Sequence, residues 1–289
     1  MIIDRERVKN AFAHYAGQYD LSDVKVKLKA DHTYRVAAMC DAISDSLGLD
    51  QEDRDIAWLC GMLHDIGRFE QLRRYHTFQD GRSCNHAALS ADILFNEGKI
   101  RDYINIDGED GRIEKDSSDS ELLSHDNADN SEERLIEKDT SEEHLIEKAI
   151  RLHNVYQLPQ MTDREYLFAT ILRDADKIDI LRVNCETPIT EIYDLPIEAF
   201  CDSAISPEVM EDVRAHRNVL RTHSKTGIDF ILGHISFVFG LVYKESFRQV
   251  KAQGYLAQLL AFRSDNPQTV KDLEEVRRIV DDYMEERLR

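Results

Sequence analysis

Four histidines and two aspartates in this chain could together do metal chemistry: His32, the adjacent pair His64 and Asp65, His86, His153 and Asp176. Neutral imidazoles and carboxylates suit Zn, Fe, Mn or Ni, and Mg stands with them as a candidate. Six such ligands exceed what one tetrahedral site needs, so two divalent ions bridged by Asp65 are expected. His64 and Asp65 close an apolar run, Ile56-Ala57-Trp58-Leu59-Cys60-Gly61-Met62-Leu63. Burying two adjacent ionisable groups behind such a run is costly unless they are paired or hold a cation. Neighbouring helical residues point about 100° apart, yet at a frayed helix end both could reach one ion. Gly67, two residues on, stands where a helix often stops in a left-handed turn. His14, His125, His144, His216, His223 and His234 read as surface or structural residues.

The elements that must position these ligands are helical, because apolar residues recur at helical spacing nearly throughout. One long helix is expected over residues 22–47, carrying His32 with Val36 and Met39 on the same side. Asp50 can cap the next helix, with Glu52 and Asp53 in its first turn. A polar loop over residues 70–82 follows the His-Asp pair and carries Arg73, Arg74, Tyr75, His76 and Asp80. Ser83 or Asn85 opens a helix with His86 in its first turn, and residues 141–154 form another that carries His153. Thr162-Asp163-Arg164-Glu165 is a capping box, and the helix behind it runs through Asp174, Asp176 and Asp179 to about Val183. Residues 184–205 read as irregular, and Ser206-Pro207 starts a helix. Residues 227–250 are apolar enough to be buried. Asn266-Pro267 opens a last helix with Val270, Leu273, Val276, Val280 and Tyr283 as its stripe. No convincing run of strands is visible, so the fold class is all-α.

The 289 residues carry a formal net charge of -19. That argues against duplex nucleic acid, which wants clustered Lys and Arg, but leaves room for a small phosphorylated ligand at a local positive site. Residues 107–148 hold sixteen Asp or Glu against five Lys or Arg, so 5 - 16 = -11 of that charge lies there. A tandem repeat, SEERLIEKDT then SEEHLIEKAI, begins at Ser131. Such acidic sequence cannot bury enough apolar surface to stay folded alone, so residues 107–140 read as a surface insertion, with partner binding as one use. Five cysteines without a CxxC pair suit free thiols in a reducing compartment. The charged N-terminus is unlike a signal peptide, and no apolar run is long enough to span a bilayer. A cytoplasmic protein with no membrane partner is expected.

With these contexts the chain resembles the HD superfamily of metal-dependent phosphohydrolases. The matching motifs are Asp31-His32-Thr33-Tyr34-Arg35-Val36, Leu63-His64-Asp65-Ile66-Gly67-Arg68-Phe69 and Arg173-Asp174-Ala175-Asp176-Lys177, and the resemblance spans residues 20–185 with the acidic insertion as a departure. It implies a helical HD-type metal-binding domain over residues 1–205, with residues 206–289 as additional C-terminal helices on the same core or at a homodimer contact. It places further ligands of two-metal branches at His86 and His153, with His76 competing for the place of His86. The activity it implies is hydrolysis of a small phosphoester, such as a nucleotide. One ion would lower the pKa of water towards ~7, and a second, about 3.5–4 Å away, would hold the phosphate. Asp65 would bridge them as a catalytic residue. Arg68 and Lys177 would act in catalysis and substrate binding, with His76 a further substrate-binding candidate. Many family members carry lysine where Arg68 stands, and arginine keeps the charge while adding a bidentate fork. Two alternatives share the ligand order: a di-iron oxygenase similar to myo-inositol oxygenase, and a non-catalytic ligand sensor.

Overall fold

The computed structural model describes residues 3–104 and 141–289, so the expected insertion at residues 107–140 lies outside the described residues. The described chain is all-α, with no strand among those residues. Helix α1 (Arg5–Ala16) is followed by α2 (Val24–Ser46), capped by Asp23, whose carboxylate accepts from the Lys25 amide. Helix α3 (Gln51–Leu63) is capped by Asp50 through the Asp53 amide, as its sequence predicts. Every residue from Ile56 to Leu63 is buried, so this part of α3 is apolar all round and forms the centre of the domain. It packs on α2 and on two later helices, α6 (Glu142–Leu152) and α7 (Asp163–Glu186). Gly61 permits the tight α2–α3 approach, because a Cβ there would sit 2.6 Å from the Ala37 Cα.

The chain breaks at the His-Asp pair, as expected. His64 closes α3, Asp65 takes φ -107° and ψ 16°, and α4 (Ile66–Tyr75) starts at once. Gly67 therefore lies inside α4 rather than in a left-handed stop. Its missing side chain serves a close approach instead: a Cβ would lie 2.7 Å from the Ser90 amide nitrogen on α5 (His86–Ala91). The polar loop expected from Glu70 begins only at His76, where φ 55° ends α4. Phe69 and Leu72 are buried and hold the helix on, and buried Glu70 is paired with Arg73 at 2.6 Å and with Arg74. Asn85 caps α5 through the Ala88 amide. Ser141 caps α6, and the Thr162 capping box opens α7, which continues three residues past Val183.

The stretch expected to be irregular contains two short helices, α8 (Ile189–Tyr193) and α9 (Glu198–Cys201). Beyond it lie α10 (Pro207–Arg214), α11 (Gly227–Ile235), α12 (Lys244–Gln253), α13 (Tyr255–Leu260) and α14 (Pro267–Leu288). On α14 the buried stripe is Thr269, Leu273, Val276, Val280 and Met284, while Val270 is 41 % exposed. Thr269 takes the inward position in that first turn and donates to the Ser203 carbonyl. One hydrophobic cluster runs from Ile3 to Met284, and α12 and α13 lie against α7. Buried Asp174 ties this region down, accepting from the Val242 and Tyr243 amides and the Ser246 hydroxyl. All five cysteines are free. Among the described residues no helix is long and apolar enough to cross a membrane.

Candidate metal centre

Helix ends deliver most of the candidate ligands. His64 is the last cap of α3 and Asp65 the first of α4, His86 opens α5, and His153 closes α6. His32 and Asp176 project from the middles of α2 and α7. All six meet around Asp65, whose two carboxylate oxygens face different histidines. Oδ2 lies 3.6 Å from the Nε2 atoms of His32 and of His64. Those two imidazoles are also 3.2 and 3.8 Å from Asp176 Oδ1. Oδ1 lies 3.6 Å from His86 Nε2 and 3.8 Å from His153 Nε2. His32 Nε2 and His64 Nε2 are 3.3 Å apart, and His86 Nε2 and His153 Nε2 are 3.0 Å apart.

The other nitrogen of each ring is already committed. His32 Nδ1 meets Asp179 Oδ2 at 2.6 Å, and His86 Nδ1 meets Asp80 Oδ2 at 2.7 Å. His64 Nδ1 donates to the Gly61 carbonyl at 2.8 Å and His153 Nδ1 to the Ile150 carbonyl at 2.7 Å. An acceptor at Nδ1 fixes the proton there in the neutral ring and leaves Nε2 as a lone pair. Four such lone pairs then point at one another and at carboxylate oxygens. Asp65 Oδ1 is buried with no hydrogen-bond partner. A cation satisfies this arrangement, and among the described residues no donor reaches Asp65 Oδ1 within hydrogen-bond distance.

The spacing fits as well. Metal–ligand bonds of about 2.0–2.2 Å put donors on one ion roughly 2.8–3.6 Å apart, close to the separations found here. His32, His64 and Asp176 form one group able to hold an ion, and His64, Asp65 and His153 form another. Protonation states agree with ligation at His64, His86, His153 and Asp65, and His32 is the exception, favoured as the charged ring until an ion displaces its Nε2 proton. Burial pushes His64 down, burial and Arg68 push His86 down, and burial with His86 and His64 lowers His153 to about 3. His32 is raised, because Asp176 and Asp179 outweigh burial and Lys29. Burial alone would raise Asp65, but Lys29, His64 and Arg68 hold it well below the usual carboxylate range.

The candidate substrate residues divide. Arg68 reaches the cluster, with Nε 3.6 Å from Asp65 Oδ1, but its Nη1 is spent on the Phe78 carbonyl at 2.7 Å, Gln71 Oε1 at 2.7 Å and Asp80 Oδ1 at 3.0 Å. Lys177 follows Asp176 and donates to the Gly240 carbonyl at 2.8 Å; burial and Arg173 lower it to about 8. His76 is exposed and lines a different hollow, with Tyr19 and Arg73, and the structure does not bring it to the ligands.

Four residues escaped sequence reasoning. Lys29, one turn before His32, donates to Asp65 Oδ2 at 2.8 Å. Asp179, one turn after Asp176, backs His32. The i, i+3 spacing on a helix carrying a candidate ligand was a usable signal for both. Arg173 donates from Nη1 to the carbonyls of Leu152, His153 and Val155, fixing the segment that presents His153. Asp80 lies in a loop, where no periodicity could point to it.

Comparison with known proteins gives one match. The family model described as HD domain covers residues 30–181, more than half of the 289-residue chain and all six candidate ligands. No curated protein and no solved structure matches the chain.

Proposed function

The chain belongs to the HD-domain family, and from that premise we propose that it hydrolyses a small phosphoester at a two-metal centre bridged by Asp65. The observation that carries this reading is the orphaned Asp65 Oδ1, buried and facing His86 and His153 while Oδ2 faces His32 and His64. One half of the centre would consist of His32, His64, Asp176 and Asp65 Oδ2; the other would consist of His86, His153 and Asp65 Oδ1. Divalent ions held there would supply Lewis acidity and a hydroxide available near neutral pH.

The protein's own groups favour an anionic substrate. Two divalent ions against the carboxylates of Asp65 and Asp176 leave an excess of positive charge, and Lys29 and Arg68 add to it at 2.8 and 3.6 Å from Asp65. A phosphate group is the small anion that such a field suits. A substrate would approach from the side of α7. Asp176 is the most exposed of the six ligands, at 14 % of its side chain, and Lys177 stands beside it. Lys177 would meet the phosphate there, and the Gly240 carbonyl holds its ammonium in place.

Phosphate release from a panel of monoesters, and ring opening of cyclic phosphoesters to their monoesters, with Mn, Ni or Fe under anaerobic conditions, tests the proposal. Turnover without oxygen that disappears in Asp65→Ala supports hydrolysis. A product that forms only with iron and oxygen would replace it with the oxygenase alternative, and binding without turnover in any metal would favour the sensor.

A further inference from the structure

His32 and His86 each turn Nδ1 to a carboxylate, but the two carboxylates are built differently. Asp179 lies on α7, buried, and is gripped by Arg35 Nε at 2.9 Å and by Arg182 Nε and Nη2 at 2.8 and 3.1 Å. It needs only α2 and α7, two long helices packed on each other. Asp80 lies in the connection between α4 and α5, with 22 % of its side chain exposed. Its Oδ2 meets His86 Nδ1 at 2.7 Å and the Asn154 amide at 3.3 Å, and its Oδ1 accepts from Arg68 Nη1 and Gln71 Nε2, each at 3.0 Å. One carboxylate thus joins α4, the first residue of α5 and the residue after His153. Among the described residues no other side chain contacts His86 Nδ1 within hydrogen-bond range except Asn154, at 3.4 Å.

We infer that Asp80 is the positioning residue for the His86–His153 half of the centre and decides whether that half holds an ion, while the His32–His64–Asp176 half fills without it. The inference rests on the two-metal reading. The two halves load in order, the helix-borne half first and the half that depends on Asp80 second. Arg68 acts here as the tether of Asp80, through the same Nη1 that holds the Phe78 carbonyl. Loss of a carboxylate behind a ligating imidazole costs roughly 10–100-fold in metal affinity, and at this centre the loss falls on the second ion alone.

Mn2+ titration of the full chain, by calorimetry and by electron paramagnetic resonance, tests this. Wild type takes up two ions, the second more weakly, and then shows the spectrum of a coupled pair. Asp80→Ala keeps the first affinity, loses about 10–100-fold in the second, and shows an isolated Mn2+ spectrum at one equivalent or more. Asp80→Asn, which keeps an acceptor for the His86 Nδ1 proton, falls between them, and Asp179→Asn weakens the first ion instead. An unchanged first affinity in Asp80→Ala also shows that the variant is folded. Two ions bound by Asp80→Ala as in wild type, or both affinities lowered equally, overturns the inference alone. A single ion bound by wild type overturns the two-metal reading and this inference with it.

Discussion

Gly67→Ala perturbs the centre without touching a ligand. The added Cβ would lie 2.7 Å from the Ser90 amide nitrogen, 2.9 Å from its hydroxyl and 3.0 Å from the His86 carbonyl. Ordinary contact begins at 3.4 Å, so the shortfall against backbone is 3.4 - 2.7 = 0.7 Å at Ser90 and 3.4 - 3.0 = 0.4 Å at His86. Neither atom is the tip of a flexible side chain, so α5 must move away from α4 by about that much. The shift stretches the bond from the Gly67 amide to the Ser90 hydroxyl, now 3.0 Å. Overpacking costs about 1–3 kcal/mol and a weakened buried hydrogen bond about 1 kcal/mol. Against them, alanine is the better helix former by about 1 kcal/mol. The net is a destabilisation of about 1–3 kcal/mol, a fall in Tm of roughly 2–4 °C per kcal/mol for a chain of this size. His86 rides on α5, so its Nε2 leaves the position 3.6 Å from Asp65 Oδ1. Thermal unfolding and Mn2+ titration read both effects, and the second ion should weaken while the first holds. An unchanged or raised Tm with wild-type metal binding would refute the packing argument, and loss of the first ion before the second would refute the division of ligands.

Other perturbations probe separate parts of the account. Arg173→Met leaves the Leu152, His153 and Val155 carbonyls without their donor. It should destabilise the protein by about 1–3 kcal/mol in urea unfolding and weaken metal binding at His153. Lys177→Met should raise KM for an anionic phosphoester more than it lowers kcat, with metal content unchanged in elemental analysis. Loss of metal would instead make Lys177 a support for Asp176. Burial lowers His153 to about 3 and His234 to about 4, from an ordinary 6.5. In chelated protein the unfolded chain therefore takes up protons below pH 6.5 that the native state refuses, and stability falls as pH drops from 6.5 towards 4. Each group contributes up to about 1.4 kcal/mol per pH unit. His32 is raised and acts in the opposite sense: its stabilisation is complete below pH 6.5 and is lost as pH rises through its folded value. Urea unfolding between pH 7 and 4.5 should show the net loss on acidification, and a flat profile would contradict the buried neutral histidines.

The parts of this fold that the sequence made legible are those written locally. Asp50, Asn85, Ser141 and Thr162 each cap a helix start, because a short polar side chain ahead of a periodic run satisfies amides that no turn can reach. His32, His64, Asp65, His86, His153 and Asp176 could be picked out by type and by their places on helices, and their Nε2 and carboxylate atoms do converge. What was hidden depends on tertiary neighbours. Gly67 signals a stop by local rules, but the contact that requires it is with Ser90, on another helix. Helix α4 continues through Glu70 because Phe69 and Leu72 are buried against the core and two arginines offset the carboxylate. Asp80 carries no periodic or motif signal, since its importance comes from three elements that meet only in the folded chain. His76 is polar and near the motif in sequence, yet the left-handed end of α4 places it in another hollow.

The most direct test of the central claim is an anomalous-scattering map from crystals grown with Mn2+. The account predicts two peaks about 3.5–4 Å apart. One would lie among His32, His64, Asp176 and Asp65 Oδ2, and the other among His86, His153 and Asp65 Oδ1. A single peak, or two peaks that do not share Asp65, would contradict it.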